Sequence, residues 1–89
     1  MGYVYILQSL KNGRYYVGST VDLSRRFFLH CEGQVSSTKS LRPLKIVFSQ
    51  KFLRLKNARL IEYRLKRFKS RKILEQIIRD GKIRIGEGQ

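Results

Sequence analysis

Two tyrosines, Tyr5 and Tyr16, an arginine, Arg26, and a histidine one helical turn beyond it, His30, are residue types that can serve phosphate chemistry. One of the chain's four glutamates, Glu62, breaks the pattern of its helix. With Ala58 as the origin of a helical wheel, Glu62 falls near roughly 40°, between Leu65 and Leu55, so a carboxylate occupies the centre of an otherwise apolar face. A charge in that position needs a partner. An arginine of the core would serve, and so would a divalent cation, because Mg2+ takes one or two protein carboxylates and fills its remaining positions with water and phosphate. Arg26 also has two readings: a surface ion pair with Asp22 one turn earlier, or a guanidinium clamp on a phosphate that gains negative charge in a transition state. His30, at the rim of an apolar helix face, is either a structural histidine or a support for such a site. Cys31 follows it directly and diverges from it on a helix, so no Cys/His dyad is expected.

The charge of the chain indicates what such a site would meet. Twenty Lys and Arg against six Asp and Glu give a formal net charge of +14 and a pI near 10.7. The excess is spread over the whole chain, with 7 basic and 2 acidic residues before position 51 and 13 and 4 from there on. A polyanionic partner follows, and nucleic acid ranks ahead of a membrane surface because the apolar helix faces are needed for the core. Ser19 and Thr20 precede a helix start and Ser36 to Lys39 form a polar run; capping and a solvated loop explain them as simply as phosphate contact does. The expected nucleic-acid contacts are Ser19, Arg25, Thr38, Lys39, Arg42 and Lys66. One cysteine excludes an internal disulfide and leaves too few soft ligands for structural zinc. No stretch approaches the roughly 20 apolar residues of a membrane span, and no leader or acylation signal is visible. A cytoplasmic protein without a membrane partner is the expectation.

The elements that must position these side chains read as one α+β domain over residues 1–89. Aromatic and β-branched runs at 3–8 and 14–18 flank Asn12-Gly13, a hairpin signal, and residues 44–48 read as a third strand. Helices are expected near 22–31, 54–68 and 70–80, with Thr20, Asp22 or Ser24 and then Ser70 as caps and Gly33 and Gly81 as stops. Residues 33–43 read as a polar loop and 82–89 as a tail that frays. Two hairpin registers are open. A two-residue turn sets Tyr16 opposite Ser9, about 13 Å along the strand from Tyr5, whereas a four-residue loop from Leu10 to Gly13 sets it opposite Leu7, about 7 Å away. Both put the two phenols on one face.

Taken together, Tyr5, Tyr16 with Gly18, Arg26, His30 and the distant helical Glu62 closely resemble the GIY-YIG nuclease superfamily, in particular its small stand-alone bacterial members related to the catalytic N-terminal domain of UvrC. The likeness runs from Tyr3 to about Ile78. "YVY" stands where the family has Gly-Ile-Tyr, "YVG" at 16–18 is a familiar variant of the second half, and Ser19 replaces a lysine of UvrC-like members. The resemblance implies a small three-stranded antiparallel sheet flanked by helices, in the order β-β-α-β-α-α, one divalent ion, Mg2+ or Mn2+, on Glu62, and hydrolysis of phosphodiester bonds in DNA during repair or recombination. It further implies that Tyr5 or Tyr16 serves the attacking water, that Arg26 neutralises the phosphoryl oxygens and that His30 supports the site. Branched, flap and nicked DNA, and RNA, all offer phosphates to such a protein, and a protein partner could supply targeting. Two rival readings fit the same composition: a non-catalytic basic nucleic-acid-binding module, and a nuclease domain that needs a partner for activity.

Overall fold

Apolar side chains alternate with tyrosines over the first seven residues, and this pattern becomes the central strand of the sheet. The structure is a computed structural model that describes residues 1–83. Strand β1 (Gly2–Ser9) lies between β2 (Tyr15–Thr20) and β3 (Leu44–Phe52), antiparallel to both. Helix α1 (Leu23–Cys31) and a short α2 (Ser36–Lys39) connect β2 to β3, and α3 (Leu55–Phe68) and α4 (Arg71–Asp80) follow. The order is the expected one, with α2 added inside the segment read as a loop. Because β1 is central, both of its faces are covered. Val4 and Ile6 pack with Phe48, Phe52, Ala58, Ile61, Leu65 and Ile77 under α3 and α4. Tyr5 and Leu7 point the other way, toward Leu44 and a shell of Tyr16, Leu23, Phe27 and Leu41. No helix among the described residues is long and apolar enough to cross a membrane.

The hairpin takes the longer loop. Ser9 N–H donates to Arg14 O at 2.8 Å and Gly13 N–H to Ser9 O at 2.9 Å, so Leu7 stands opposite Tyr16 and Tyr5 opposite Gly18. Local side chains select this register. Ser9 Oγ accepts from the N–H groups of Lys11 and Asn12, and Asn12 Oδ1 accepts from Arg14 N–H. Such side-chain bonds stabilise a wide loop that a two-residue turn would forgo. Gly13, at φ 78°, supplies the left-handed step.

Strand β3 extends four residues beyond its expected end because Ser49 to Phe52 continue the ladder with β1, and Phe52 returns to the core. A bulge between the Ile6–Phe48 and Leu7–Ile46 pairs leaves Val47 as the extra residue. Asp22 proves to be the cap of α1, its Oδ1 accepting from Arg25 N–H at 3.0 Å, and Ser70 caps α4 by accepting from Ile73 N–H at 3.2 Å. Of the segment expected to fray, Ile83 is buried and its N–H donates to Gln50 Oε1 at 2.8 Å. Residues 84–89 lie outside the described residues.

Candidate active site

Tyr5 is the residue around which the site is built. Its ring lies across the sheet directly over Gly18: a Cβ at position 18 would come within 2.5 Å of Tyr5 Cζ. Any side chain there would displace the phenol, which gives the glycine of "YVG" a steric reason. The tyrosine is 1% exposed, and its hydroxyl lies 2.8 Å from His30 Nε2. On the far side of the ring, His30 Nδ1 lies 2.7 Å from Thr38 Oγ1, whose hydroxyl can donate in turn to Val35 O at 3.4 Å. The bonds run in one direction if Tyr5 donates to Nε2, Nδ1–H donates to Thr38 and Thr38 donates to the carbonyl. Each buried polar atom is then satisfied by a neutral imidazole.

The electrostatics agree with that assignment. Burial pushes His30 down to about 4, and the positive charge of Arg26 acts in the same direction. Burial pushes the Tyr5 phenol up to about 12; Arg26 pulls it back by hydrogen bonding and charge, while Tyr16 and Glu62 add to the rise. Arg26 therefore lies within reach of both groups. Tyr16 is half-buried beside them, its ring edge-on to His30 with centroids 5.4 Å apart. The longer hairpin loop makes this possible, since it puts Tyr16 diagonally next to Tyr5 on the same face.

Glu62 reaches the site from the other side of the sheet. Strand β2 is an edge strand, so side chains of α3 can extend past it. Ser19 donates a short hydrogen bond to Glu62 Oε1, and Lys66 Nζ lies 2.8 Å from Oε2. The same ammonium stands 5.1 Å from the centroid of the Tyr16 ring, which links carboxylate and phenol around the strand edge.

Several expectations are corrected by these placements. His30 is not on a rim: it is fully buried, because α2 folds over it. Thr38, expected to touch nucleic acid, is likewise fully buried and instead holds His30. Glu62 is no core carboxylate with an arginine partner; its side chain is 21% exposed and its partners are Ser19 and Lys66. Asp22 spends its carboxylate on the helix cap, leaving Arg26 to the tyrosine and histidine. Arg25 and Lys39 are exposed. Arg42 is exposed too, but its guanidinium bonds the carbonyls of Lys39 and Cys31 and lies against Gly33, so it braces the α1–α2 connection. The role of Thr38 was hidden from sequence reasoning, since a threonine in a polar run gives no sign that it will meet a histidine eight residues earlier.

Tyr5 on the central strand, Tyr16 on the edge strand, Arg26 on α1 and Glu62 on α3 come from four elements of a fold that defines a known class. Residues 1–74 match the GIY-YIG catalytic domain, and the chain belongs to that family. Within it, the relatives are small proteins of the UPF0213 type. One from Streptococcus pneumoniae serotype 4 is 35% identical over 68 residues, which is 75% of this chain and 68% of the relative. Another, from Staphylococcus saprophyticus, is 34% identical over 76 residues, 84% of this chain and 92% of the relative. The solution NMR structure of a UPF0213 protein from Bacillus halodurans matches with a TM-score of 0.55 at 35% identity, covering 88% of this chain and 83% of that one.

Proposed function

We propose that this chain is a metal-dependent endonuclease that hydrolyses phosphodiester bonds of DNA in repair or recombination. The observation that carries the reading is a buried Tyr5–His30–Thr38 chain that Arg26 approaches at Tyr5 and Tyr16 flanks at His30, with Lys66 linking Tyr16 to Glu62 at the edge of β2, in a protein of net charge +14. Nucleic-acid backbone is the substrate that this charge attracts.

Exposure separates the two phenols. Tyr5 has its hydroxyl committed to His30 and no access to bulk water, so its part is to hold the site's geometry and to sense Arg26. Tyr16 is the phenol that meets solvent, and its hydroxyl orients the attacking water. Arg26 neutralises the non-bridging phosphate oxygens as charge builds on them. His30, held neutral by burial, is a fixed acceptor for Tyr5 and a wall for Tyr16.

Glu62 fits a hard divalent ion. Its carboxylate is partly exposed, and among the described residues no three His, Cys, Asp or Glu side chains converge, so the ion would rest on this one carboxylate, water and substrate phosphate. That is the usual habit of Mg2+. Lys66 now holds one of the oxygens, but an exposed pair of this kind is worth only about 0.2 to 1 kcal/mol and yields readily. When bound, the ion would polarise the phosphate and stabilise the departing 3′ oxygen.

The test is cleavage of labelled duplex, flap, branched and nicked DNA, with RNA alongside, by the wild type at low salt with and without Mg2+ or Mn2+, repeated with Tyr16→Phe and Tyr5→Phe. Metal-dependent cutting of DNA that Tyr16→Phe loses is the expected result. Binding of every substrate with no cutting under any condition would sink the proposal in favour of a binding module.

A further inference from the structure

The site accounts for Tyr16 and Lys66 but not for the cleft that continues from them. A hollow of about 360 Å3 runs between β2 and the junction of α3 with α4, close to the hairpin turn. Arg14, Tyr15, Tyr16, Lys66, Lys69 and Arg71 line it. Four of these are cations, and no carboxylate lines the hollow. Like charges gathered around one concavity repel each other and favour an anionic occupant.

The four cations are not equivalent. Arg71 stacks 4.4 Å from the centroid of Tyr15, donates to Gly13 O at 3.1 Å and pairs with Glu75 at 3.1 Å, so it straps α4 to the hairpin turn. Lys66 is committed to Glu62 and the Tyr16 ring. Among the described residues, the side chains of Arg14 and Lys69 have no partner. Lys69 also stands at φ 49° and ψ 37°, the left-handed cap of α3, where glycine would sit without strain. It is the only non-glycine residue at positive φ among the described residues. Lysine is less favourable than glycine at this cap, and what it adds there is a charge that faces the cleft.

We propose that this cleft is a subsite for the nucleic-acid strand on one side of the scissile phosphate, with Arg14 and Lys69 gripping a neighbouring backbone phosphate. This depends on the nuclease reading above, because the cleft shares Tyr16 and Lys66 with that site. A phosphodiester strand is the occupant that suits both places, since it repeats its charge at each nucleotide and can run from one to the other. Contacts of this kind position a strand without reading its sequence.

The experiment measures binding without metal, so that no cleavage intervenes. A labelled DNA duplex is titrated over a range of salt concentrations with wild type, with the double variant Arg14→Ala, Lys69→Ala, and with the control double variant Lys45→Ala, Lys51→Ala on β3 at the opposite edge of the sheet. Loss of two phosphate contacts lowers the slope of log K against log salt by about 1.8, which is about 60-fold in affinity at 0.1 M salt. The control pair, which removes the same charge, should leave the slope unchanged. Lys69→Gly adds a second check: it should bind more weakly than wild type while melting no lower, since it removes the strained side chain without harming the fold. Equal losses in the two double variants, or wild-type binding by Lys69→Gly, would overturn the subsite and leave the nuclease reading standing. Failure of the wild type itself to bind would overturn both.

Discussion

Acid should weaken this protein through one side chain. His30 is the chain's single histidine, and in the fold it is held neutral, with a proton affinity pushed from the ordinary 6.5 down to about 4 by burial and by Arg26. Between those two values the unfolded chain carries a proton on His30 and the folded chain does not. The unfolded state therefore binds more protons, and stability falls as pH drops from about 6.5 toward 4. A shift of 2.5 units at about 1.4 kcal/mol per unit gives about 3 kcal/mol at the bottom of that window. For a domain of this size, that corresponds to a fall in Tm of about 12 to 24 °C. Urea denaturation of wild type and His30→Gln at intervals from pH 7.5 to 4 measures it, because titrations common to both proteins cancel in the difference. The wild type should lose about 3 kcal/mol more than the variant over the window, and its one imidazole should titrate well below 6 by NMR. Parallel stability curves, or an imidazole that titrates near 6.5, would refute the buried neutral histidine and the hydrogen-bond direction built on it.

Three further outcomes follow from the same geometry. Gly18→Ala drives a methyl group into the Tyr5 ring; overpacking of about 1 to 3 kcal/mol should show in urea denaturation, partly relieved by Tyr5→Leu in a double-mutant cycle, and an unchanged midpoint would mean the ring lies elsewhere. Thr38→Val keeps the shape of the side chain but leaves His30 Nδ1–H buried without an acceptor, a loss of about 1 to 3 kcal/mol that Thr38→Ser should largely restore. Arg26→Ala should slow single-turnover cleavage by about 10² to 10³-fold, as removal of a donor to a developing oxyanion does; more than a tenth of the wild-type rate would remove Arg26 from the catalytic set.

Local signals made most of the architecture readable. Asn12-Gly13, Asp22, Gly33, Ser70 and Gly81 mark their turns and helix ends by chemistry that acts within four residues, and each does so in the structure. The choice of hairpin register was different, since both registers satisfied the alternation of side chains; the bonds made by Ser9 and Asn12 decided it. The end of β3 was hidden because Ser49, Gln50 and Lys51 are polar and are drawn into the sheet by pairing with Gly2 to Tyr5. At the site, the family resemblance pointed to Tyr5, Tyr16, Arg26, His30 and Glu62, the last also marked by its place on an apolar helix face, but their environments depend on contacts made across the fold. His30 looked like a rim residue until α2 covered it. Glu62 looked like a core charge because a helical wheel does not show that the facing strand is the last in its sheet. The pairing of Glu62 with Lys66 at i,i+4 was open to a sequence argument; its bond to Ser19, 43 residues away, was not.

In the proposed reaction Glu62 serves the cutting of nucleic acid and not the holding of it. Glu62→Gln keeps the size of the side chain and an oxygen for Ser19 while removing the charge, so one labelled DNA substrate can be used to measure binding and metal-dependent cleavage by the variant and the wild type side by side. Wild type should bind and cut, and Glu62→Gln should bind at least as tightly and not cut. Cleavage by Glu62→Gln at the wild-type rate would remove Glu62 from the reaction.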